Sequence, residues 1–219
     1  MQVRGEELCA LLWRRALAPQ AGRWALPGGL LGAREDLEAS ITRHLAVKVD
    51  VTELSYLEQL QTMSAPRRYP GKRLVATAYL GLVPTPADPQ LPDDTRWHPV
   101  HTLPPTAFDH GALVRSGWDR LRAKLSYTNL GFALAPPTFT ISELRSVYAA
   151  ALGYDVAATN LQRVLERRAV IEPTGETAPP GRGGGRPAAV YRFRERRLVV
   201  TDPFAALRPP TAVGTLVIT

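Results

Sequence analysis

The chain has 219 residues, 45% of them hydrophobic, with a formal net charge of +7 and an isoelectric point near 10.0. That length suits two small domains of about 100 residues each, and with no run of about 18 apolar residues and no secretory signal the expectation is a soluble, cytoplasmic protein outside the membrane. A lone Cys9 excludes a disulfide framework and a cysteine-based zinc cluster, and the excess of cations directs attention to a polyanionic partner.

Residues Glu7 to Trp13 are nearly continuously apolar, which predicts a buried strand with Cys9 inside it. Pro19 to Gly22 makes a turn. The stretch from Trp24 to Val51, WALPGGLLGAREDLEASITRHLAVKVDV, places Gly29, Glu35 and Arg43 with five and then seven residues between them. Its apolar positions Leu37, Ile41 and Leu45 predict a helix on which His44, Val47 and Lys48 share one face. Carboxylates on such a face could hold Mg2+ and through it a phosphate and a water. An imidazole, an isopropyl group and an ammonium cannot replace them, and Lys48 repels a divalent cation, so no metal site is expected.

Leu54 to Thr62 and Leu74 to Val83 read as two strands around the loop APRRYPGKR. Its Arg67, Arg68, Lys72 and Arg73 are a solvated hairpin tip or, in the functional reading, an anion or nucleic-acid contact. Pro84 to Pro92 is loop. WHPVHTLP and AFDH lead into a helix from about His110 to Ser126, with Leu113, Val114, Trp118, Leu121 and Leu125 inward and Arg115, Arg120, Arg122 and Lys124 outside. His44, His98, His101 and His110 lack metal-ligand spacing and are expected to be structural or solvent-facing.

A break near Ala135, Pro136 and Pro137 opens a different grammar. Thr140, Ile141, Ser142, Glu143 is a capping box, Ile141, Leu144, Tyr148 and Leu152 repeat at helical spacing, and Gly153 supplies the stop. A second helix from about Val156 to Arg168 turns Leu161, Val164 and Leu165 inward. Thr159, Asn160, Gln162, Arg163 and Arg167 are its candidate DNA-binding residues, since asparagine pairs with adenine edges and arginine with guanine edges. Val170 to Pro173, a loop rich in glycine, proline and arginine, and the strand AVYRFR then complete a basic hairpin. Between Arg182 and Arg197 there are six arginines against one acid, Glu195. Helix, turn, helix and basic hairpin make a winged helix, with Arg182 and Arg186 in the wing, beside phosphates or in the minor groove. An RNA-binding module is disfavoured by the lack of an aromatic stacking platform.

The spacing of Gly29, Glu35 and Arg43, flanked by LLWRR and GRWALPGG, resembles the Nudix box, G-x5-E-x7-R-E-U-x-E-E-x-G-U with U aliphatic. Here all three later glutamates and the glycine are replaced, while Leu45 and Val51 keep the aliphatic positions. The whole chain is similar to the NrtR family of Nudix-related transcriptional regulators through WALPGG, LEQL, WHPV, AFDH, FTISEL, the TNLQR helix, EPTGE and GGRPAAVYRF. The resemblance implies an α+β chain, a Nudix-like mixed α/β/α sandwich over residues 1–135 joined to a C-terminal winged helix-turn-helix domain over 136–202, with a tail at 203–219 that no pattern places. It also implies a homodimeric repressor of NAD-metabolism genes that binds double-stranded DNA at an inverted repeat and senses ADP-ribose or a related nucleotide, near Trp24, Glu35 and Arg43, with no catalytic residue and no cofactor. The RRYPGKR loop lacks the aspartate that often follows its first arginine in relatives, which bears on the effector's identity. The rival reading is a Nudix pyrophosphatase in which Glu53 or Glu58 makes up for the missing carboxylates.

Overall fold

The computed structural model describes residues 1–179 and 187–202. Its organising strand is β2 (Glu7–Arg14), which pairs antiparallel with β1 (Gln2–Arg4) and β3 (Trp24–Ala25) along one edge and with β6 (Thr95–Pro99) along the other. Side chains alternate across a strand, and both faces of this one are covered. Leu8, Ala10 and Leu12 enter the main core, whereas Leu11 enters a smaller one with Val49, Val51, Val83 and Ala87. That explains why the run reads as continuously apolar instead of alternating.

The altered box forms α1 (Leu37–Val49), begun by Asp36, whose carboxylate accepts the Ala39 amide at 2.8 Å, and ended by Asp50 at φ 53°. The hairpin follows as β4 (Tyr56–Met63) and β5 (Ala76–Leu82), with a register shift between Gln59 and Gln61. The approach to the next helix, where the sequence reading names no strand, forms β6 through Pro99. Helix α2 (His110–Tyr127) buries Leu113, Val114, Leu121 and Leu125 as its periodicity predicts.

Two of its four basic residues are tied to an acid of β4. Arg120 Nη1 and Lys124 Nζ both reach Glu58 of β4, the latter at 2.8 Å, and the Tyr56 hydroxyl donates to the same carboxylate. A spacing pattern cannot show that a strand brings an acid to the polar side of the helix.

In the C-terminal half, β7 (Phe139–Thr140), β8 (Ile171–Ala178) and β9 (Ala188–Phe193) form an antiparallel sheet in the order β7-β9-β8. Helices α3 (Ile141–Leu152) and α4 (Ala158–Arg167) precede its hairpin. The capping box of Thr140 and Glu143 forms as read, and Gly153 closes α3 at φ 77°. The bland stretch Leu130 to Ala135 is wholly buried. It lies in one core cluster that runs from Leu8 and Leu12 through Leu121 to Leu144, Leu161 and Phe193, and the Trp118 indole N–H of α2 donates to the Ala151 carbonyl of α3 at 2.7 Å.

Candidate functional site

Glu35, in the loop just before α1, meets Arg43 of that helix in a fork. Arg43 Nε donates to one carboxylate oxygen at 2.8 Å and Nη2 to the other at 2.5 Å, while the Gly32 amide adds a third donor at 2.6 Å. The Arg43 hydrogen bonds, and then the Gly32 amide, hold the Glu35 carboxyl down at about 2, and the hydrogen bonds to Glu35 push the Arg43 guanidinium up. The pair staples the loop from Gly28 to Arg34 to the helix. Trp24 belongs to other contacts: its ring meets His98 edge-on at 4.4 Å, and its carbonyl accepts the Ala107 amide at 2.7 Å.

The rewritten positions have found structural partners. His44 is buried with Nε2 at 3.1 Å from the Leu30 carbonyl, and its ring lies so close under the loop that a Cβ built on Gly29 would stand 2.3 Å from Cε1. Lys48 Nζ donates to the Gly28 carbonyl at 2.6 Å and lies 5.0 Å above the Trp13 ring. Val47 is exposed. A donor set of imidazole, alkyl and ammonium does not fit the hard divalent ion that a Nudix fold implies. Among the described residues no three His, Cys, Asp or Glu side chains come together as a metal site. Glu58 is engaged by three partners, as above.

His110 is structural: Nδ1 accepts the Leu26 amide at 2.8 Å, and burial holds its pKa down at about 4. Burial also pushes the Cys9 thiol up inside its strand.

The loop between β4 and β5 is more than a hairpin tip. With Gln20, Phe108 and Asp109 it encloses an open cleft of about 850 Å³. Arg68 crosses to Asp109 in a two-pronged ion pair, 2.7 Å on each prong. Burial pushes the Asp109 carboxyl up, but the Arg68 hydrogen bonds and charge leave it below its ordinary value. The Tyr69 and Phe108 rings are 5.3 Å apart, and Arg15 lies 5.1 Å over Phe108. Reading the loop by its basic residues alone missed this cleft, because its other wall comes from two distant segments.

The second face with function in reach is that of α4. Leu161 and Leu165 are buried, while Thr159, Asn160, Arg163 and Arg167 are exposed on the opposite side. Arg163 Nη2 donates to Asn160 Oδ1 at 2.9 Å, so the two are prealigned one turn apart. Gln162 is turned toward the sheet, where its amide donates to the Tyr191 hydroxyl and to Glu166, both at 2.9 Å. It ties the helix to the wing strand.

Arg182 and Arg186 lie outside the described residues. The rest of the basic segment is less bare than its count suggests. Glu172, directly across the register from Arg192, pairs with Arg192 at 2.8 Å and Arg194 at 3.5 Å, and Glu195 pairs with Arg197 at 3.2 Å.

Sequence reasoning also missed the joint behind α4. Arg168, its C-cap, donates to the Ser126 carbonyl at the end of α2 (2.8 Å) and to Asp202 (2.7 Å). Buried Asn129 clamps the following chain, donating to the carbonyls of Glu195 and Arg197 and accepting the Val199 amide.

Comparison with known proteins agrees with both halves. The NUDIX domain family matches residues 2–116, and the NrtR DNA-binding winged helix domain matches residues 131–193. The ADPR responsive transcriptional repressor NtrR of Acinetobacter baylyi is 32% identical over 194 residues, which cover 85% of this chain and 76% of that protein. Shewanella oneidensis NrtR, solved in complex with a 27mer DNA, superimposes with a TM-score of 0.76 at 32% identity, over 88% of this chain and 90% of that one. A MutT/nudix family protein from Enterococcus faecalis superimposes with a TM-score of 0.70 at 25% identity, over 87% and 82% of the two chains. A Nudix fold carrying an NrtR-type winged helix, on a chain aligned with NrtR over nearly its whole length, places this protein in the NrtR family of Nudix-related transcriptional regulators.

Proposed function

We propose that this protein is a transcriptional repressor of NAD-metabolism genes, which binds an inverted-repeat operator as a homodimer and responds to ADP-ribose or a related nucleotide. The observation that carries the reading is the exposed face of α4, where Asn160 and Arg163 stand over an apolar anchor of Leu161 and Leu165. Such a helix enters a major groove, with Thr159 and Arg167 flanking the base-reading pair and Arg182 and Arg186 serving the wing. A two-fold dimer presents two such helices, so its site is an inverted repeat with half-sites separated by whole helical turns.

Residues 1–135 are the sensing part and 136–202 the reading part. The sensing part binds its nucleotide near Trp24, Glu35 and Arg43 without hydrolysing it, because the positions that would hold Mg2+ carry His44, Val47 and Lys48. The Glu35–Arg43 staple supports this reading, since it keeps the phosphate-handling loop in shape with no metal to organise it. A gel-shift series on the gene's own upstream region, with ADP-ribose titrated in, tests the whole proposal. The expected result is a retarded complex whose occupancy changes with ADP-ribose, and a protein that binds this duplex no better than random DNA overturns it.

A further inference from the structure

The cleft behind the β4–β5 loop has features that the DNA-reading and box-helix arguments leave unused. Gln20 and Phe108 have φ of 65° and 50°, and the Phe108 amide donates to the Gln20 side chain at 2.8 Å. Residues that bear a side chain seldom adopt this left-handed region, and where they do, the surroundings hold them for a purpose, often at a ligand site. The strained pair presents the Phe108 ring, which lines the cleft, to Tyr69 outside it. Arg67 lines the cleft and also a smaller pocket of about 350 Å³ that Tyr69, Lys72 and Arg73 line, and these three cations are exposed and without an ion pair among the described residues.

Asp109 supplies the second observation. It occupies the N-cap of α2, where an aspartate ordinarily accepts an amide of the first turn. It makes no such bond: Arg68 holds both its oxygens, its backbone stands at φ −96° and ψ 11° and not in the extended form of a capping residue, and the Gly111 amide turns to Thr106 Oγ1 at 3.1 Å instead. Asp109 therefore stands at a capping position with its carboxylate committed to Arg68.

We infer that the cleft binds a small ligand carrying both a phosphate and a planar ring, the ring entering beside Tyr69 and Phe108 and the phosphate taking Arg68 from Asp109. The inference rests on the nucleotide-sensing reading above and extends its site from Trp24, whose carbonyl accepts the Ala107 amide at 2.7 Å, to the neighbouring Phe108 and the cleft, and it adds a switch. Arginine meets phosphate and carboxylate with the same two-pronged geometry, so the exchange conserves the hydrogen bonds of Arg68 and releases Asp109, which caps α2 by swinging its backbone from φ −96° and ψ 11° to the extended form. That helix is the connection to the DNA face: its middle holds α3 through Trp118, and its last turn holds Arg168 at the end of α4. A ligand that re-caps α2 thus acts on the element against which the reading helix is seated.

Calorimetry on the full chain with ADP-ribose as probe, and with inorganic pyrophosphate and adenosine as partial ligands, tests this. Phe108→Gly removes the ring and relieves the left-handed backbone, so it keeps the fold. The expected results are tighter binding in Asp109→Asn by about tenfold, because no carboxylate competes for Arg68, and weaker binding in Arg68→Ala and Phe108→Gly by about tenfold or more. Each partial ligand should bind more weakly than ADP-ribose. If the parent binds ADP-ribose but all three variants match it within about twofold, or Asp109→Asn binds more weakly, the site lies elsewhere and only this inference falls. If the parent binds no nucleotide, the sensing reading falls first and takes this inference with it.

Discussion

The close approach of Gly29 to His44 makes a sharp test of how the altered box is held together. A methyl at position 29 would stand 2.3 Å from the imidazole, and the ring is buried and bonded to the Leu30 carbonyl, so it has little room to withdraw. Overpacking of this kind costs about 1 to 3 kcal/mol. His44→Ala alone removes the hydrogen bond and leaves a void, at a similar cost of about 1 to 3 kcal/mol. In the double variant the new methyl enters space that the ring has vacated, so the two losses should fall short of their sum by about 1 to 2 kcal/mol. Each kcal/mol corresponds to a shift of about 2 to 4 °C in Tm for a chain of this size. Urea denaturation of the four proteins measures the coupling. Additivity within about 0.5 kcal/mol would mean that the ring is not wedged beneath the loop, and the account of the histidine as a structural replacement would fail.

Three further outcomes are expected. His110 has a folded pKa near 4 against about 6.5 unfolded, so its contribution is fully present above pH 6.5 and is lost as pH falls toward 4. Between pH 7 and 5 this amounts to about 2 kcal/mol, and urea denaturation should show that loss shrinking in His110→Gln. Arg163→Ala should cost about 1 to 3 kcal/mol in operator binding and relax sequence preference, whereas Arg186→Ala should weaken all duplexes alike and flatten the salt dependence, as gel shifts at two salt concentrations will distinguish. With Mg2+ the parent should turn over ADP-ribose far below about 1 per second, and hydrolysis at an ordinary enzyme's rate would refute the sensor reading.

Periodicity made the helices legible. The apolar repeat of Leu113, Val114, Leu121 and Leu125, the capping box at Thr140 and the stop at Gly153 all depend on residues within a few positions of one another, and all appear where they were read. The same holds for Leu161 and Leu165 and the exposed row opposite them. What the sequence hid depends on distant partners. Glu172 meets Arg192 only because β8 and β9 are in register, so counting acids between Arg182 and Arg197 overstated the bare positive charge. Glu58 takes Arg120 and Lys124 from what looked like a solvated face, and Arg68 finds Asp109 across 41 positions of chain. Gln162, polar and on the reading helix, turned out to anchor that helix to Tyr191.

The same long-range pairings bear on how a sensing event could reach the DNA. A tether of flexible residues between two independent cores would transmit nothing but proximity. Here Leu130 to Ala135 are buried within a core that both halves share, and α2 makes contacts through its N-cap Asp109 with the cleft loop, at its middle with α3 and at its last turn with Arg168. Packed interiors shift between discrete arrangements and do not deform continuously. A change at Asp109 therefore has a continuous route of packed and hydrogen-bonded contacts to the end of α4. Arg168→Ala cuts that route at its last link while leaving the cleft, Asn160 and Arg163 in place. It should preserve ADP-ribose binding in calorimetry while reducing the nucleotide's effect on operator binding in gel shifts. If the effect survives undiminished, signalling runs through the dimer or the core and not through this joint.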